Sequence, residues 1–278
     1  MWCLFKELRQ IFNQETNIET HTQRRLEKIK MKKIILLIAI GSVLNLDHAR
    51  SSVILANWSF ENYTASATPT ATGPTLLAEA GLGAGVAVAT GVHASSSTVW
   101  SAPVGNGSTK AFNSNNWAVG DYFQFRTSSS GYTGITLGWD QTGSSTGPTN
   151  FSLLYSTDSG ASFTKFADYA IVKSTGSLIN FSDNSAGGAW SSAKTAINTS
   201  YSYDFSSITG LDNNSNIVFR LAQLNNITTG TSTVAGTGTG RIDNVIITAS
   251  VPEPSSGALL VLGGAALVAI RSLRKKNS

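Results

Sequence analysis

Two short runs of alternating apolar residues, separated by a turn, occupy residues 133–156, which read TGITLGWDQTGSSTGPTNFSLLYS. In the first run Ile135, Leu137 and Trp139 fall on every second position, and the second run repeats the pattern from Phe151 to Tyr155. Alternation with a period of two is typical of a β-strand with one buried face. The Gly, Ser and Pro residues between the runs are typical of a turn. The stretch therefore predicts two strands of a sheet.

The same alternation recurs through residues 51–250. Phe123 and Phe125 share one face with Gln124 and Arg126 opposite, and the run from Ile217 to Leu221 places Arg220 outward. Further strands are predicted at Val53–Phe60 and at Arg241–Thr248, with turn-rich segments between them and no convincing long helix. Many short strands in about 200 residues predict an all-β fold, a two-sheet antiparallel sandwich of jelly-roll or lectin-like type.

Composition and charge exclude several classes of protein. Only 13% of the 278 residues are charged, which excludes a coiled coil and a charged disordered tail. The formal net charge is +4, but residues 51–250 hold seven Lys or Arg against ten Asp or Glu. The basic residues concentrate at the two ends of the chain. The domain therefore lacks the clustered cations of a nucleic-acid-binding surface, and no nucleic-acid partner is expected.

The N-terminal part predicts export. Lys32 and Lys33 precede an apolar run over 34–46 and a polar exit, the pattern of a secretory signal peptide over residues 31–50. Signal peptidase is expected to cut after Ala49, with Ala56 as the alternative. Residues 1–30 are interpreted as a doubtful leader, created by a misplaced start site or lost on processing. They hold the single cysteine, Cys3, so the exported part has no thiol and no disulfide.

The C-terminal part, residues 251–278, has three parts in order. Val251, Pro252, Glu253 and Pro254 come first, and an apolar, Gly-rich segment that predicts a membrane helix follows. The chain closes with four cations, Arg271, Arg274, Lys275 and Lys276. Such cations hold the end of a membrane helix in the cytoplasm.

This arrangement resembles the PEP-CTERM sorting signal of bacterial exported proteins. The resemblance implies an exosortase as processing partner, a transient membrane anchor, and delivery to the cell surface or extracellular matrix. The alternative is a simple C-terminal anchor that is retained.

Two features of the central region also resemble known patterns. The segment from Ser156 to Phe163 resembles the Asp-box of sialidases, in which the Asp and Gly shape a hairpin turn and the aromatic packs beneath it. A single copy argues against a sialidase propeller, and Asp158 is expected to bond to amides of its own turn. As a set, motifs such as Trp58–Glu61 and Arg241–Val245 resemble a largely uncharacterised module of surface-sorted β-proteins. That module is similar in general shape to carbohydrate-binding sandwiches.

Candidate binding residues follow from chemistry. The aromatic residues in Ser- and Asn-rich, loop-like surroundings are candidates for stacking on sugar rings, with burial in the core as the alternative: Trp100, Trp117, Tyr132 and Trp190. A structural calcium ion, the one candidate cofactor, would need oxygen ligands, for which the candidates are Glu61, Asp121, Asp243 and Asn244. Hydrogen bonding at a turn and strand end is the alternative for the last two.

Catalytic chemistry has little support in the sequence. The exported region has one histidine, His93, and no Gly-x-Ser-x-Gly nucleophile elbow. We therefore predict a non-catalytic, structural or adhesive surface protein in envelope or exopolysaccharide. The alternative is a carbohydrate-binding module with a polysaccharide partner, and a secreted glycan hydrolase is the third hypothesis.

Overall fold

The computed structural model describes residues 51–173, 190–193, 199–228 and 232–252. The predicted signal peptide, its cleavage residue Ala49, the C-terminal helix and the basic tail lie outside the described residues. Within the described part no helix is long and apolar enough to span a membrane.

Thirteen strands and a 3₁₀ turn at Thr209–Leu211 make up the described fold. In chain order the strands are β1 (Ser52–Trp58), β2 (Leu76–Leu77), β3 (Val88–Val92), β4 (Trp100–Ser101), β5 (Phe112–Ser114), β6 (Tyr122–Thr127), β7 (Thr133–Gly143), β8 (Asn150–Ser156), β9 (Thr164–Ala170), β10 (Val172–Lys173), β11 (Ser200–Asp204), β12 (Ile217–Gln223) and β13 (Gly240–Ser250). The predicted all-β fold is confirmed. The predicted first and last strands begin and end within two residues of β1 and β13.

The strands form two sheets. In sheet A, β13 lies between β7 on one side and β1 with β5 on the other, β4 extends β5, and β10 and β11 pair with the far edge of β7. Sheet B has the order β2-β3-β6-β12-β8-β9. All described strand pairs are antiparallel except the two-residue contact of β10 with β7.

The alternating apolar residues of both sheets meet in one core. Trp58 of sheet A packs on Phe125 of sheet B with ring centroids 5.4 Å apart, and Phe112 packs on Phe123 at 5.3 Å. These side chains are almost fully buried. The sequence pattern therefore places one face of each sheet in the core. The outward-facing residues of sheet B do not take part in this core and are accessible for contacts outside it.

Candidate functional site

Trp100 is buried, with 1% of its surface exposed, so it belongs to the core and not to a sugar-stacking surface. Its ring is stacked on Phe112 with centroids 5.2 Å apart, and its indole N–H donates to the Thr70 carbonyl at 2.8 Å. Two glycines make room for it, because a Cβ at Gly73 or Gly91 would lie 3.0 or 2.3 Å from the indole. The binding interpretation of Trp100 is therefore wrong for the folded chain, and the core alternative describes it.

Trp117 and Trp190 are also buried. Trp117 packs on Phe123 and Phe151 across the core, and its indole N–H donates to the Ser114 carbonyl at 3.0 Å. Trp190 donates to the Thr199 hydroxyl at 3.0 Å. Neither ring offers a free face to a sugar, so the core alternative describes them as well.

Tyr132 is the candidate aromatic that reaches the surface. It is half-buried and lines an open cleft of about 370 Å³ together with Leu82, Val86 and Arg126. Leu82 and Val86 are exposed, at 59% and 78%. The cleft is mainly apolar, and Arg126 joins it to the outer face of sheet B.

His93 lies in a Ser–His–Asp arrangement inside the core. Its Nδ1 is 3.3 Å from a carboxylate oxygen of Asp121, and its Nε2 is 3.3 Å from the hydroxyl of Ser114. All three side chains are buried, and the imidazole packs between Trp100 and Trp117. Burial lowers the pKa of His93 to about 4, since the charged imidazolium would lose its hydration there. The arrangement satisfies polar groups in the core.

The four predicted calcium ligands do not form one cluster. Glu61 accepts hydrogen bonds from the amides of Thr109 and Lys110, and Asp121 accepts from the amides of Ala94 and Ala118. Asp243 and Asn244 are adjacent residues of β13, and Asp243 accepts a hydrogen bond from the Ser108 hydroxyl. No group of three or more His, Cys, Asp or Glu side chains suited to a metal occurs among the described residues.

Asp243 and Asn244 belong to a buried polar cluster on the outer side of sheet A. Asp243 is the cross-strand partner of Asp140, and the β-bulge that follows gives Asn244 a left-handed φ of 49°. The side-chain Nδ2 of Asn244 then donates to the Asp140 carboxylate at 2.8 Å, and the Ser108 hydroxyl donates to the Asp243 carboxylate at 2.5 Å. Burial raises the pKa of Asp243 to about 6 despite these hydrogen bonds. The predicted alternative of strand-end hydrogen bonding describes both residues.

The sorting motif is described only at its start. Val251 is exposed, and its amide donates to the Ser51 carbonyl at 3.0 Å. Pro252 is exposed as well, whereas Glu253 and Pro254 lie outside the described residues. The motif therefore begins directly after the last sheet-like hydrogen bond of the domain.

The outer face of sheet B carries a cation held between two aromatic rings. The guanidinium carbon of Arg220 is 3.9 Å from the centroid of Tyr122 and 3.7 Å from that of Phe163. Its Nε donates to the side-chain carbonyl of Gln124 at 2.8 Å. Both rings and Arg220 are partly exposed. Cation–π contact on two sides fixes a side chain that would otherwise be mobile.

The Asp-box hairpin holds Phe163 in this position. Asp158 accepts hydrogen bonds from the Ser156 hydroxyl at 2.6 Å and from the Ser162 amide at 2.9 Å, as predicted for a structural Asp-box. These hydrogen bonds lower the pKa of Asp158 well below its usual value. The hairpin folds back over its own sheet, because Arg126 donates to the Ser159 carbonyl at 3.2 Å. Phe163 consequently lies on Arg220.

Sequence reasoning missed this grouping, although it had identified parts of it. The alternation in β12 places Arg220 outward, and the Asp-box contains Phe163. Only the strand register brings them together, since Arg220 pairs with Gln124 on one side and Leu154 on the other. We call Tyr122, Gln124, Arg126, Phe163 and Arg220 the arginine face.

Comparisons with known proteins add no family. No protein-family model matches the chain, and no curated protein matches it. Among solved structures, the chain is similar to the K1 cleaved adhesin domain of Lys-gingipain from Porphyromonas gingivalis W83, with 14% identity, 71% of this chain and 97% of that chain covered, and a TM-score of 0.35. It is also similar to a CBM35 domain of Abf62 from Cellvibrio japonicus, with 14% identity, coverage of 73% and 100%, and a TM-score of 0.31. The third is TmCBM61 in complex with β-1,4-galactotriose, with 10% identity, coverage of 58% and 86%, and a TM-score of 0.28. At these scores the similarities carry no argument about function.

Proposed function

We propose that this protein is an exported, non-catalytic carbohydrate-binding module whose two sheets form a sandwich of jelly-roll type. The observation that carries the proposal is Arg220 held between Tyr122 and Phe163 on the outer face of sheet B. Sugar recognition needs apolar ring surface beside fixed hydrogen-bonding groups. The arginine face supplies both, with Gln124 as a further polar group.

The sequence favours a structural or adhesive surface protein over a carbohydrate-binding module, and this proposal reverses that order. A purely structural or adhesive domain would need only a closed sandwich with a featureless surface. The sequence predicts sugar binding by loop tryptophans, and the structure buries Trp100, Trp117 and Trp190. The partly exposed aromatic rings of the arginine face take over the role that the tryptophans were expected to have.

Export and sorting remain part of the proposed function. Signal peptidase would release the domain outside the inner membrane, and the C-terminal segment would anchor it until an exosortase processes the Val251–Pro254 motif. The final location would be the cell surface or the extracellular matrix. Intact mass of the exported protein tests this route, because it reports both cut sites. If the exported protein has the same mass, and so the same C-terminal cut, in wild-type cells and in cells without the exosortase, the route is contradicted.

Binding to a glycan array, with the purified protein and its Tyr122→Ala and Phe163→Ala variants, tests the proposed function. We expect the wild type to bind at least one glycan and both variants to lose most of that binding. Trp190→Phe is the matched aromatic control, since Trp190 lies on the other sheet's side and is buried. Absence of binding to any glycan would refute the proposal.

A further inference from the structure

We propose that the arginine face selects anionic polysaccharides, with Arg220 and Arg126 pairing with the carboxylate or sulfate groups of successive sugars. This inference rests on the proposed function and specifies its ligand class. It starts from the distribution of charge over sheet B.

The strands of sheet B carry a net positive charge although the domain is acidic. Its six strands hold three cations, Arg126, Arg220 and Lys165, and one carboxylate, Asp168. Residues 51–250 as a whole carry a formal charge of −3. The sheet therefore concentrates positive charge on a domain that otherwise repels anions.

Two of these cations, Arg220 and Lys165, share one row of paired positions across the sheet. The paired positions Gln124, Arg220, Leu154 and Lys165 cross four neighbouring strands in one row. Arg126 faces outward two residues along β6 from Gln124. Lys165 pairs with Asp168 at 2.9 Å at the edge of the sheet. The two arginines without a carboxylate partner, Arg126 and Arg220, therefore lie on β6 and β12, the two neighbouring strands in the middle of sheet B.

Neither central arginine is neutralised by a carboxylate among the described residues. Arg220 donates to Gln124, and Arg126 donates to the Ser159 carbonyl. Burial lowers the pKa of Arg220, and the charge of Arg126 acts in the same direction. Two guanidinium groups that repel each other without an acid between them are stabilised when an anion binds to both.

The geometry of Arg220 favours a flat anionic group on a sugar. The ring centroids of Tyr122 and Phe163 lie 3.9 and 3.7 Å from the guanidinium carbon, and the N–H groups of a guanidinium lie in its plane, where Nε already donates to Gln124. A guanidinium fork pairs with carboxylate oxygens by two parallel hydrogen bonds. The flanking rings offer apolar surface to the sugar that bears the anion. Two arginines are too few for a duplex phosphate backbone, whose binding requires a broader basic surface.

Calorimetric titration of the purified full-length protein with matched polysaccharides tests this inference. The anionic probes are polygalacturonate and dextran sulfate, and their neutral counterparts are methyl-esterified polygalacturonate and dextran. We expect binding to at least one anionic probe at about 20 mM salt, weakened at least about fivefold at about 500 mM because salt screens exposed charges. We expect much weaker binding to the neutral counterparts. Preference for polygalacturonate would identify carboxylate as the group recognised, and preference for dextran sulfate would identify sulfate.

Charge variants locate the binding. Arg220→Gln and Arg126→Gln should each weaken binding to the anionic probe about tenfold, the usual effect of losing one charge-assisted hydrogen bond. Arg126 is exposed, so its variant is expected to fold even if Arg220→Gln loses stability. Lys110→Gln is the matched control, because it removes the same charge from the loop before β5 of sheet A. Its affinity should equal that of the wild type.

Each remaining outcome contradicts a different statement. Equal, salt-insensitive binding to neutral and anionic probes would overturn the inference and leave the proposed function standing. Binding to no polysaccharide, here and on the glycan array, would overturn both. Binding of duplex DNA or phosphatidylglycerol vesicles more tightly than any polysaccharide, with loss in both arginine variants, would assign the face to another class of partner. An equal loss in Lys110→Gln would show that only net charge matters.

Discussion

Substitution of Gly91 by Ala tests whether Trp100 is a core residue. Gly91 lies in β3 beside the indole of Trp100. A Cβ there would lie 2.3 Å from Cη2 and 2.5 Å from Cζ3 of that ring. These separations are far below van der Waals contact, so either the indole or the strand must move.

The expected cost follows from what holds the indole. Trp100 stacks on Phe112, donates to Thr70 and contacts His93, so it cannot shift without losing contacts on several sides. Overpacking of a core costs about 1–3 kcal/mol, and a lost hydrogen bond adds about 1 kcal/mol. We expect Gly91→Ala to lower the free energy of unfolding by about 2–4 kcal/mol. For a domain of this size the corresponding decrease in Tm is roughly 4–16 °C.

Urea and thermal unfolding, followed by near-UV circular dichroism, measure this change. Gly138→Ala in β7 is the matched control, because its Cβ would meet a methyl group of Ile246 at 3.3 Å and the carbonyl oxygen of Tyr201 at 3.6 Å, and neither contact is a severe overlap. We expect less than about 1 kcal/mol there. Trp100→Phe in the Gly91→Ala background should recover part of the loss, since the smaller ring vacates the space. Wild-type stability of Gly91→Ala would refute the packing and return Trp100 to the surface candidates.

Three further predictions concern charge and the hairpin. His93 has a pKa of about 4 in the folded state against 6.5 for the ordinary residue, so the unfolded chain binds its proton first. Stability from this group should be lost as pH falls from 6.5 to 4, by about 3 kcal/mol, and the wild type should show a steeper pH dependence than His93→Gln in that window. Asp243 contributes a pH dependence of stability of the opposite sign, because folding raises its pKa from 3.8 to about 6. Stability should fall as pH rises from 3.8 to 6, and chemical denaturation at several pH values should show this slope in the wild type and not in Asp243→Asn. Asp158→Ala should weaken glycan binding while the domain stays folded, because the hairpin no longer holds Phe163 on Arg220; unchanged affinity would show that the hairpin does not position the ring.

The strands were predictable because their signal is local. Alternation at Ile135, Leu137 and Trp139 requires only that one face of β7 be buried, and the structure buries all three. The two-residue strand at Trp100 gave no such signal. Its surroundings are rich in Ser and Thr, which indicates a loop but says nothing of the distant Gly73 and Gly91 that accommodate the ring. Loop composition therefore misassigned a residue whose burial depends on long-range packing.

The arginine face shows the same limit at the candidate site. The outward direction of Arg220 follows from the alternation in β12. Its partners lie elsewhere, Tyr122 in β6 and Phe163 in the hairpin between β8 and β9. Their meeting depends on register, which no periodicity within a single strand specifies. The Asp-box was predictable as a turn, because Asp158 acts on neighbours within four residues. Its effect on the distant Arg220 was not.

The first and last strands of the described domain bear on how the arginine face would work if the protein is anchored as proposed. Ser52 pairs with Ser250, so the described domain begins and ends on adjoining strands of sheet A. The arginine face belongs to sheet B, the opposite layer. If the proposed anchor follows Pro252, it leaves the domain from sheet A, and we expect the outer face of sheet B to be accessible to a polysaccharide both before and after processing. Glycan binding by the membrane-anchored precursor should then equal that of the released form, and titration of both forms with one probe measures this. Weaker binding by the precursor would mean that the anchor holds the face against the membrane.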